Sequence, residues 1–264
     1  REVVLRVEKS VAKPKEVLLS IKNLRVNDDR KLESVRDVSL EVHAGEILGI
    51  AGVEGNGQRE LVEAICSMRS RLSGEVIVKG QEIPNLNPRA AHLAGVSHIP
   101  EDREKHGLVT SYSIADNLVL NRFDQAPFAR GWIRNLEEVA SNGEALVEKF
   151  DIRAPDAYLS AGSLSGGNKQ KVVVARELSQ KLDVVVAAQP TRGVDVGSIE
   201  FIHNQLIAAR DAGAAVLLVS AELDEILSLA DRIAVISSGK IVAIFSSQEA
   251  DRNTIGRLMA GLAS

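Results

Sequence analysis

The chain has 264 residues, 45% of them hydrophobic, a length that suits one α/β domain or a domain with one subdomain. Its formal net charge is −4, and no segment is dominated by Lys and Arg, which argues against a nucleic-acid partner. No apolar run approaches the roughly 18 residues that cross a bilayer, and the first residues lack the layout of a signal peptide. The composition therefore predicts a soluble, cytosolic protein.

Cysteine and histidine usage gives no sign of a redox or metal site. The one cysteine, Cys66, excludes an internal disulfide, and its place in a predicted helix indicates packing rather than reactivity. The five histidines are scattered without metal-ligand spacing, so the sequence predicts no metal ligand in this chain.

The first 17 residues differ in character from the rest. The chain begins at Arg1 rather than at Met, and residues 1–17 combine a short apolar stretch with a Lys-rich segment around Pro14. This composition is typical of a connector. We therefore expect a chain excised from a longer protein, with its domain at 18–264.

Strands dominate the pattern from residue 18 to residue 99. Alternating apolar and polar residues predict an antiparallel strand pair before a buried apolar strand. An Asn-Pro start and a closing glycine mark a compact helix. The predicted elements are strands at 18–26 and 35–42, a strand at 46–51 that enters a glycine-rich turn and a helix reaching Met68, a hairpin at 74–83, a helix at 87–95 and a strand at 96–99.

Residues 112–165 have helical periodicity and no convincing strand except near Ile152, which predicts an inserted helical subdomain. After it, continuous apolar runs separated by helices indicate parallel strands covered on both faces. These elements are a helix at 167–180, a strand at 184–188, a helix at 198–212, a strand at 214–219, and a pair at 233–237 and 241–245 that turns at Ser238-Gly239.

The turn after residue 51 has the outline of a phosphate-binding loop. Glycines allow successive backbone N–H groups to wrap an anion at a helix N-terminus. In the pattern G-x-x-x-x-G-K-[ST], the lysine reaches the phosphates and the hydroxyl holds Mg²⁺, yet here Gln58 and Arg59 follow the last glycine. The loop consists of Gly52, Val53, Glu54, Gly55, Asn56, Gly57, Gln58 and Arg59.

A second glycine motif decides the family resemblance. The segment Leu164-Ser165-Gly166-Gly167-Asn168-Lys169-Gln170-Lys171, followed by Pro190-Thr191-Arg192-Gly193-Val194-Asp195, resembles the signature motif and the Walker B and D-loop region of ABC-type ATPases. The resemblance covers about residues 18–240. It implies an α/β ABC ATPase fold, with a mostly parallel P-loop-type core, an antiparallel β subdomain and the inserted helical subdomain at about 112–165.

The residues of the signature segment also predict a function without reference to the family. Ser165 offers a hydroxyl, and Gly166 and Gly167 leave backbone N–H groups bare at the start of a basic helix, which predicts a second anion-binding terminus. An ordinary helix start is the alternative. In ABC ATPases, as the resemblance implies, two domains pair head to tail, and ATP lies between the P-loop of one and the signature of the other.

The resemblance places unusual residues at the positions that act on ATP. Ala188 stands at the Walker B aspartate, Gln189 at the general base, Ala221 at the switch histidine and Glu101 at the Q-loop glutamine. Losing the lysine removes charge-assisted bonds worth about 1.5–3 kcal/mol, and losing a general base costs roughly 10²- to 10⁴-fold in rate. We expect no catalytic residue of this chain's own and weak ATP binding. The alternative is a competent ATPase in which Arg59 partly replaces the lysine's charge.

The residues of three segments indicate a particular branch of this family. Residues 100–108, 164–171 and 187–197 resemble the C-terminal nucleotide-binding half of tandem ATPases that serve simple-sugar and nucleoside importers, with a lean towards nucleosides. The implied arrangement is a peripheral protein on the cytoplasmic face of a bacterial membrane, with Mg²⁺ only at the partner-half site. The implied partners are an N-terminal half, membrane permease subunits docked on the helical subdomain and, indirectly, a solute-binding protein.

The sequence leaves two further hypotheses for the function open. One is a regulatory nucleotide-binding module. The other is a non-transport ABC protein, although repair members carry long coiled-coil insertions and translation-factor members carry a charged linker, neither of which resembles this chain.

Overall fold

The computed structural model describes residues 9–180 and 183–262. The strands are β1 (Val17–Asn27), β2 (Glu33–His43), β3 (Glu46–Ala51), β4 (Arg71–Val78), β5 (Gln81–Glu82), β6 (Val96–Ile99), β7 (Ala129–Arg130), β8 (Ile133–Arg134), β9 (Val184–Ala188), β10 (Ala215–Ser220), β11 (Arg232–Ser237) and β12 (Lys240–Ser246). The helices are α1 (Gln58–Ile65), α2 (Pro88–Leu93), α3 (Ile114–Leu118), α4 (Leu136–Lys149), α5 (Gly166–Leu178), α6 (Val196–Asp211), α7 (Leu223–Leu229) and α8 (Arg252–Met259), with a π-helical turn at Arg103–Gly107 and a 3₁₀ turn at Ala161–Ser163.

The described chain divides into two compact units, and the first holds both large sheets. It comprises residues 9–98, 183–189 and 206–262. One sheet has the order β2-β1-β4-β5, and β1 pairs antiparallel with β2, as predicted. Val38, Leu40 and Val42 are all buried, because alternate residues of a strand point to one face.

The second sheet carries the predicted parallel core. Its order is β12-β11-β3-β10-β9-β6, and β3, β9, β10 and β11 run parallel. Every residue of β3, β9 and β10 is buried, as expected of parallel strands covered on both faces. Ala51 lies beside Ser220, and Val219 lies beside Ala188. The segments that follow these three neighbouring strands therefore leave the sheet at the same edge.

Helix α1 packs into the main core but is shorter than predicted. It ends at Ile65, and Met68 lies beyond it with 43% of its surface exposed, so the predicted extension of the helix to Met68 is wrong. Cys66 is buried, in agreement with a packing role. Helix α2 begins with the predicted Asn87 cap, whose side chain accepts the Ala90 N–H over 3.0 Å.

Part of the predicted connector belongs to this first unit. Residues 1–8 lie outside the described residues, whereas the following ones are bonded to the core. The Lys15 N–H donates to the Ala44 carbonyl over 3.0 Å, and the Lys9 ammonium pairs with Asp231 at 2.9 Å. Lys9 and Lys15 are thus bonded to the first unit, and the connector role of this segment stays a prediction.

The second unit comprises residues 99–180 and 190–205 and contains the whole predicted helical insertion. It holds a small core of its own, formed by Ala115, Val119, Phe128, Val139 and Ala157. The predicted strand near Ile152 is wrong. Ile152 is buried in a turn that closes α4, where its N–H donates to the Val147 carbonyl over 2.9 Å, so its apolar side chain is covered without a sheet. The strands of this unit are instead the β7–β8 hairpin.

Helices α7 and α8 were missed by the sequence interpretation. None of the helices in the described ranges is long and apolar enough to cross a membrane.

Candidate functional site

The glycine-rich loop in the first unit has the shape that its sequence predicts. Gly55 and Gly57 adopt φ values of +90° and +95°, a region that favours glycine. A methyl group at Gly57 would overlap the carbonyl oxygen of Ser34 on β2. Glycine is thus required at Gly57 both by its backbone angle and by the close approach of a neighbouring strand. Val53 and Glu54 are exposed at the tip of the loop.

Gln58, at the position of the missing lysine, folds back over this loop. Its Nε2 donates to the Val53 carbonyl over 2.8 Å, and a methyl group at Gly52 would lie 2.6 Å from the same nitrogen. The neutral amide therefore bridges the loop within the protein and brings no positive charge to it.

The turn between β11 and β12 fixes the other side of the loop. The Ser238 N–H donates to Asn56 Oδ1 over 2.9 Å, and the Gly239 N–H donates to the Asn56 carbonyl over 3.2 Å. This Ser238-Gly239 turn was predicted from sequence, but its contact with the loop was not. The only local sign of this contact in the sequence was the polar residue Asn56 between two glycines.

Arg59 pairs with acidic side chains in this structure. Its Nε donates to Glu63 over 2.8 Å, one turn along α1, and its NH1 lies 3.6 Å from an Asp29 oxygen. The hydrogen bond to Glu63 raises the pKa of Arg59 above its ordinary value. The guanidinium thus pairs with acidic side chains. This pairing weakens the alternative of a competent ATPase in which Arg59 binds the phosphates.

The ends of β9 and β10 place the residues predicted at the Walker B and switch positions side by side. Gln189 has a φ of +46°, and its Oε1 accepts the Ala221 N–H over 3.2 Å and the Ser220 hydroxyl over 3.4 Å. Ala188 carries no ligand atom, and Gln189 has its oxygen engaged. A Mg²⁺ ion takes oxygen ligands. The side chains of Ala188, Gln189 and Arg59 do not provide them, so these residues do not fit the ion. No group of His, Cys, Asp or Glu that could hold a metal occurs in the part of the chain that the structure describes.

The signature segment lies in the second unit and starts α5. The Ser165 hydroxyl accepts the Asn168 N–H over 3.4 Å and the Asn168 side-chain amide over 3.1 Å, as an N-cap does. Asn168 Oδ1 in turn accepts the Arg153 N–H over 2.9 Å. Leu164 is buried, and Ser165 is exposed.

The two signature glycines have a packing role that the sequence interpretation missed. A methyl group at Gly167 would overlap the Asp195 carboxylate and the Ser198 hydroxyl. At Gly166 it would lie 2.9 Å from the Arg103 guanidinium. Close approach of side chains within this unit therefore favours glycine at both positions, in addition to any anion held by their N–H groups.

Asp195, predicted in the D-loop, caps the start of α6. It accepts the Ser198 hydroxyl over 2.8 Å and the Ser198 N–H over 3.0 Å. These two bonds, that of the hydroxyl first, hold the pKa of Asp195 below its ordinary value. The carboxylate thus fixes the predicted D-loop to the start of α6.

A polar cavity of about 390 Å³ brings the predicted signature and D-loop residues together. One wall is Lys171, whose ammonium binds Asp151 Oδ2 at 2.6 Å and lies 4.8 Å from the Phe201 ring centre. The bond with Lys171 lowers the pKa of Asp151. The cavity is lined by Asp151, Arg153, Ser165, Asn168, Lys171, Asp195, Gly197, Ser198, Glu200, Phe201 and Asn204.

Glu101, at the predicted Q-loop position, forms an ion pair with Arg192. Both residues belong to the second unit. The carboxylate is therefore tied to the segment that leads into Asp195.

The sequence pattern of the family described as ABC transporter matches residues 35–192, more than half of the chain. The chain belongs to the ABC transporter family. A guanosine import ATP-binding protein of Bacillus subtilis is 48% identical over 99% of this chain. A nucleoside import ATP-binding protein of Lactococcus lactis is 44% identical over 99%, and a ribose import ATP-binding protein of Chromobacterium violaceum is 38% identical over 97%.

The chain spans about half the length of these curated relatives, with 51%, 52% and 49% of each covered. Solved ABC transporter structures confirm the predicted ABC ATPase fold. The ADP conformation of an ATP-binding cassette superposes with a TM-score of 0.75 at 22% identity, covering 93% of this chain and 96% of that one. A dimeric bacterial ABC transporter cassette superposes with a TM-score of 0.74 at 19% identity, covering 87% and 99%.

Proposed function

We propose that this ABC transporter chain is one nucleotide-binding half of the ATP-binding subunit of an importer for nucleosides or simple sugars. Its own P-loop is degenerate, and its signature segment completes the ATP site of a partner half. Relatives twice as long as this chain support the pairing with a second, N-terminal half. The 48% identity to a guanosine import protein favours nucleosides, and the 43% identity to a glucose import protein keeps simple sugars as the second class of solute.

The observation that carries the proposal is the contrast between the two glycine motifs. In the first, Gln58 bridges the loop to Val53 and Arg59 pairs with Glu63, so neither supplies what Mg-ATP requires. In the second, Ser165 and Asp195 line an open polar cavity. A helix of 13 residues begins there, and its terminal N–H groups favour an anion.

The two halves then contribute different groups to the shared ATP site. The partner half supplies the lysine, the Mg²⁺ ligands and the general base, and this half supplies the Ser165 hydroxyl and the N-terminus of α5. ATP is held weakly at the loop of residues 52–59. The helical subdomain at 112–165 docks on membrane permease subunits at the cytoplasmic face of a bacterial membrane. The solute-binding protein acts only through the permease, and nucleic acid has no part.

The test is the Ser165→Arg variant of the full-length tandem protein in its transporter. A guanidinium in place of the hydroxyl blocks the approach of the partner's nucleotide, and we expect transport-stimulated ATPase activity to fall about a hundredfold or more. Ser163→Arg is the matched control, because Ser163 is exposed two residues upstream and bonds only the local Ser160 carbonyl at 2.7 Å. Its activity should stay close to that of the wild type.

Unchanged activity in Ser165→Arg would contradict the proposal. If that variant still bound nucleotide at residues 52–59, the regulatory module would be favoured. Turnover of Mg-ATP by this chain alone would instead favour a competent ATPase with variant residues.

A further inference from the structure

Arg103 joins three segments of the second unit. It opens the π-helical turn at Arg103–Gly107. Its NH1 donates to the Arg192 carbonyl over 2.8 Å, and its NH2 donates to the Gly193 carbonyl over 3.2 Å. The same NH2 group faces Gly166, where a methyl group would lie 2.9 Å away. One side chain thus contacts both the start of α5 and the segment that leads to the D-loop.

The geometry favours an arginine and two glycines. A planar guanidinium can donate to two adjacent carbonyls at once, which an ammonium on a flexible stem does less well. Gly193 has a φ of +64°, so the turn that presents these carbonyls favours glycine. Gly166 leaves the room that the guanidinium occupies.

Neighbouring contacts hold the turn that carries Arg103 in place. Lys169 on α5 pairs with Glu104 at 2.6 Å, and the buried Arg176 donates to the Gly107 carbonyl over 2.6 Å. Both ends of the π-helical turn are therefore attached to α5. A displacement of this turn would move Arg103 relative to the signature glycines.

We propose that Arg103 is a positioning residue for the signature segment. It holds Gly166 and the carbonyls of residues 192 and 193 in one arrangement, and so sets where the Ser165 hydroxyl and the Asp195 loop are presented to the partner half. Arg103 acts through these groups and does not contact ATP. This inference rests on the proposed function, because it assigns Arg103 to the half-site that Ser165 contributes.

The experiment compares Arg103→Ala, Arg103→Lys and Lys105→Ala in the full-length tandem protein within its transporter. Misplacing the signature should slow turnover about ten- to a hundredfold in Arg103→Ala. The KM for ATP should change less than about twofold, since the partner's intact loop binds the nucleotide. Arg103→Lys should recover only part of the turnover. Lys105 is exposed and lies 3.9 Å from Asp102, so its variant should match the wild type.

Thermal unfolding of the same variants separates positioning from stability. A lower kcat in variants that remain folded at the assay temperature supports the inference. A kcat within about twofold of wild type in Arg103→Ala overturns it, as does a loss that follows the unfolded fraction. If Arg103→Ala does not fold, Arg103→Lys decides, and wild-type turnover there overturns the inference.

Ser165→Arg keeps the two proposals distinguishable. Loss of turnover in Ser165→Arg with normal turnover in Arg103→Ala refutes only the role of Arg103. Normal turnover in Ser165→Arg refutes the proposed function itself.

Discussion

The backbone N–H of Ala221 donates to the side-chain oxygen of Gln189 over 3.2 Å. Family resemblance places a switch histidine and a general base at these two positions. The side chains present, an alanine and a glutamine, are predicted to lack that chemistry, and the backbone of one is hydrogen-bonded to the side chain of the other. Gln189 therefore has a structural role at the edge of the parallel sheet.

Gln189→Glu should leave the fold intact, since a carboxylate oxygen can accept the same bonds from Ala221 and Ser220. Gln189→Met, of similar length, removes the acceptor and should cost about 1 kcal/mol of unfolding free energy. Urea unfolding of the two variants and the wild type measures both effects. Equal stability of the Met variant would show that the bond contributes nothing.

The Gln58→Lys/Arg59→Ser double variant should tighten ATP binding by this chain about tenfold to a hundredfold. It restores a charged donor and a hydroxyl at the loop. Turnover should stay absent, because Ala188 and Gln189 are unchanged. Isothermal titration calorimetry with Mg-ATP measures the affinity. Gln58→Ala is the control, since it removes the bridge to Val53 without adding charge, and it should show no such gain.

Gly57→Ala should destabilise the protein more than Gly55→Ala. Both residues have positive φ, which costs an L-residue roughly 1–2 kcal/mol. Nothing lies within 4 Å of a methyl group at Gly55, whereas one at Gly57 would overlap the Ser34 carbonyl. Overpacking adds about 1–3 kcal/mol. Equal unfolding free energies in denaturant titration would contradict the close approach of β2.

Arg210→Met should destabilise the protein by about 1.5–3 kcal/mol, because it removes charge-assisted hydrogen bonds from the Asp231 carboxylate, which keeps its pair with Lys9. Arg210 is fully buried, bonds Asp231 at 3.1 Å and donates to the Ser10 carbonyl over 3.1 Å. The loss should also release residues 9–16, which faster amide hydrogen exchange would report. Arg30→Met is the control, since the Arg30 side chain is 80% exposed and should change stability by less than about 0.5 kcal/mol.

Stability should fall in acid through Asp195 and Asp151. The pKa of each is lowered in the folded protein, by the bonds from Ser198 and Lys171 respectively. Their contribution is therefore fully present above the unfolded-state pKa of about 4 and is lost as the pH falls through the lower folded value. Denaturant titrations from pH 2 to pH 7 follow it. Ser198→Ala should flatten the acid slope, and an unchanged slope would contradict the assignment.

Features that depend on a few adjacent residues could be predicted from the sequence. The Asn87 cap, the alternation of Val38 and Leu40, and the glycine turn at Gly55 and Gly57 each follow from a few adjacent residues, and the structure confirms them. Two errors came from the same reasoning. Apolar residues near Ile152 suggested a strand, and Met68 suggested a longer helix, because periodicity alone does not show what covers a side chain.

The sequence by itself determined the family, the order of parallel strands and helices, and the residue types at each motif position, since these are carried by spacing and by glycine. The tertiary structure decided which neighbours those residues meet. Gly57 meets Ser34, Gln189 meets Ala221, and Arg103 meets the 192–193 carbonyls. These partners lie far apart in the chain, and hydrogen bonds and close contacts between them depend on how sheets and helices pack, which no local pattern encodes.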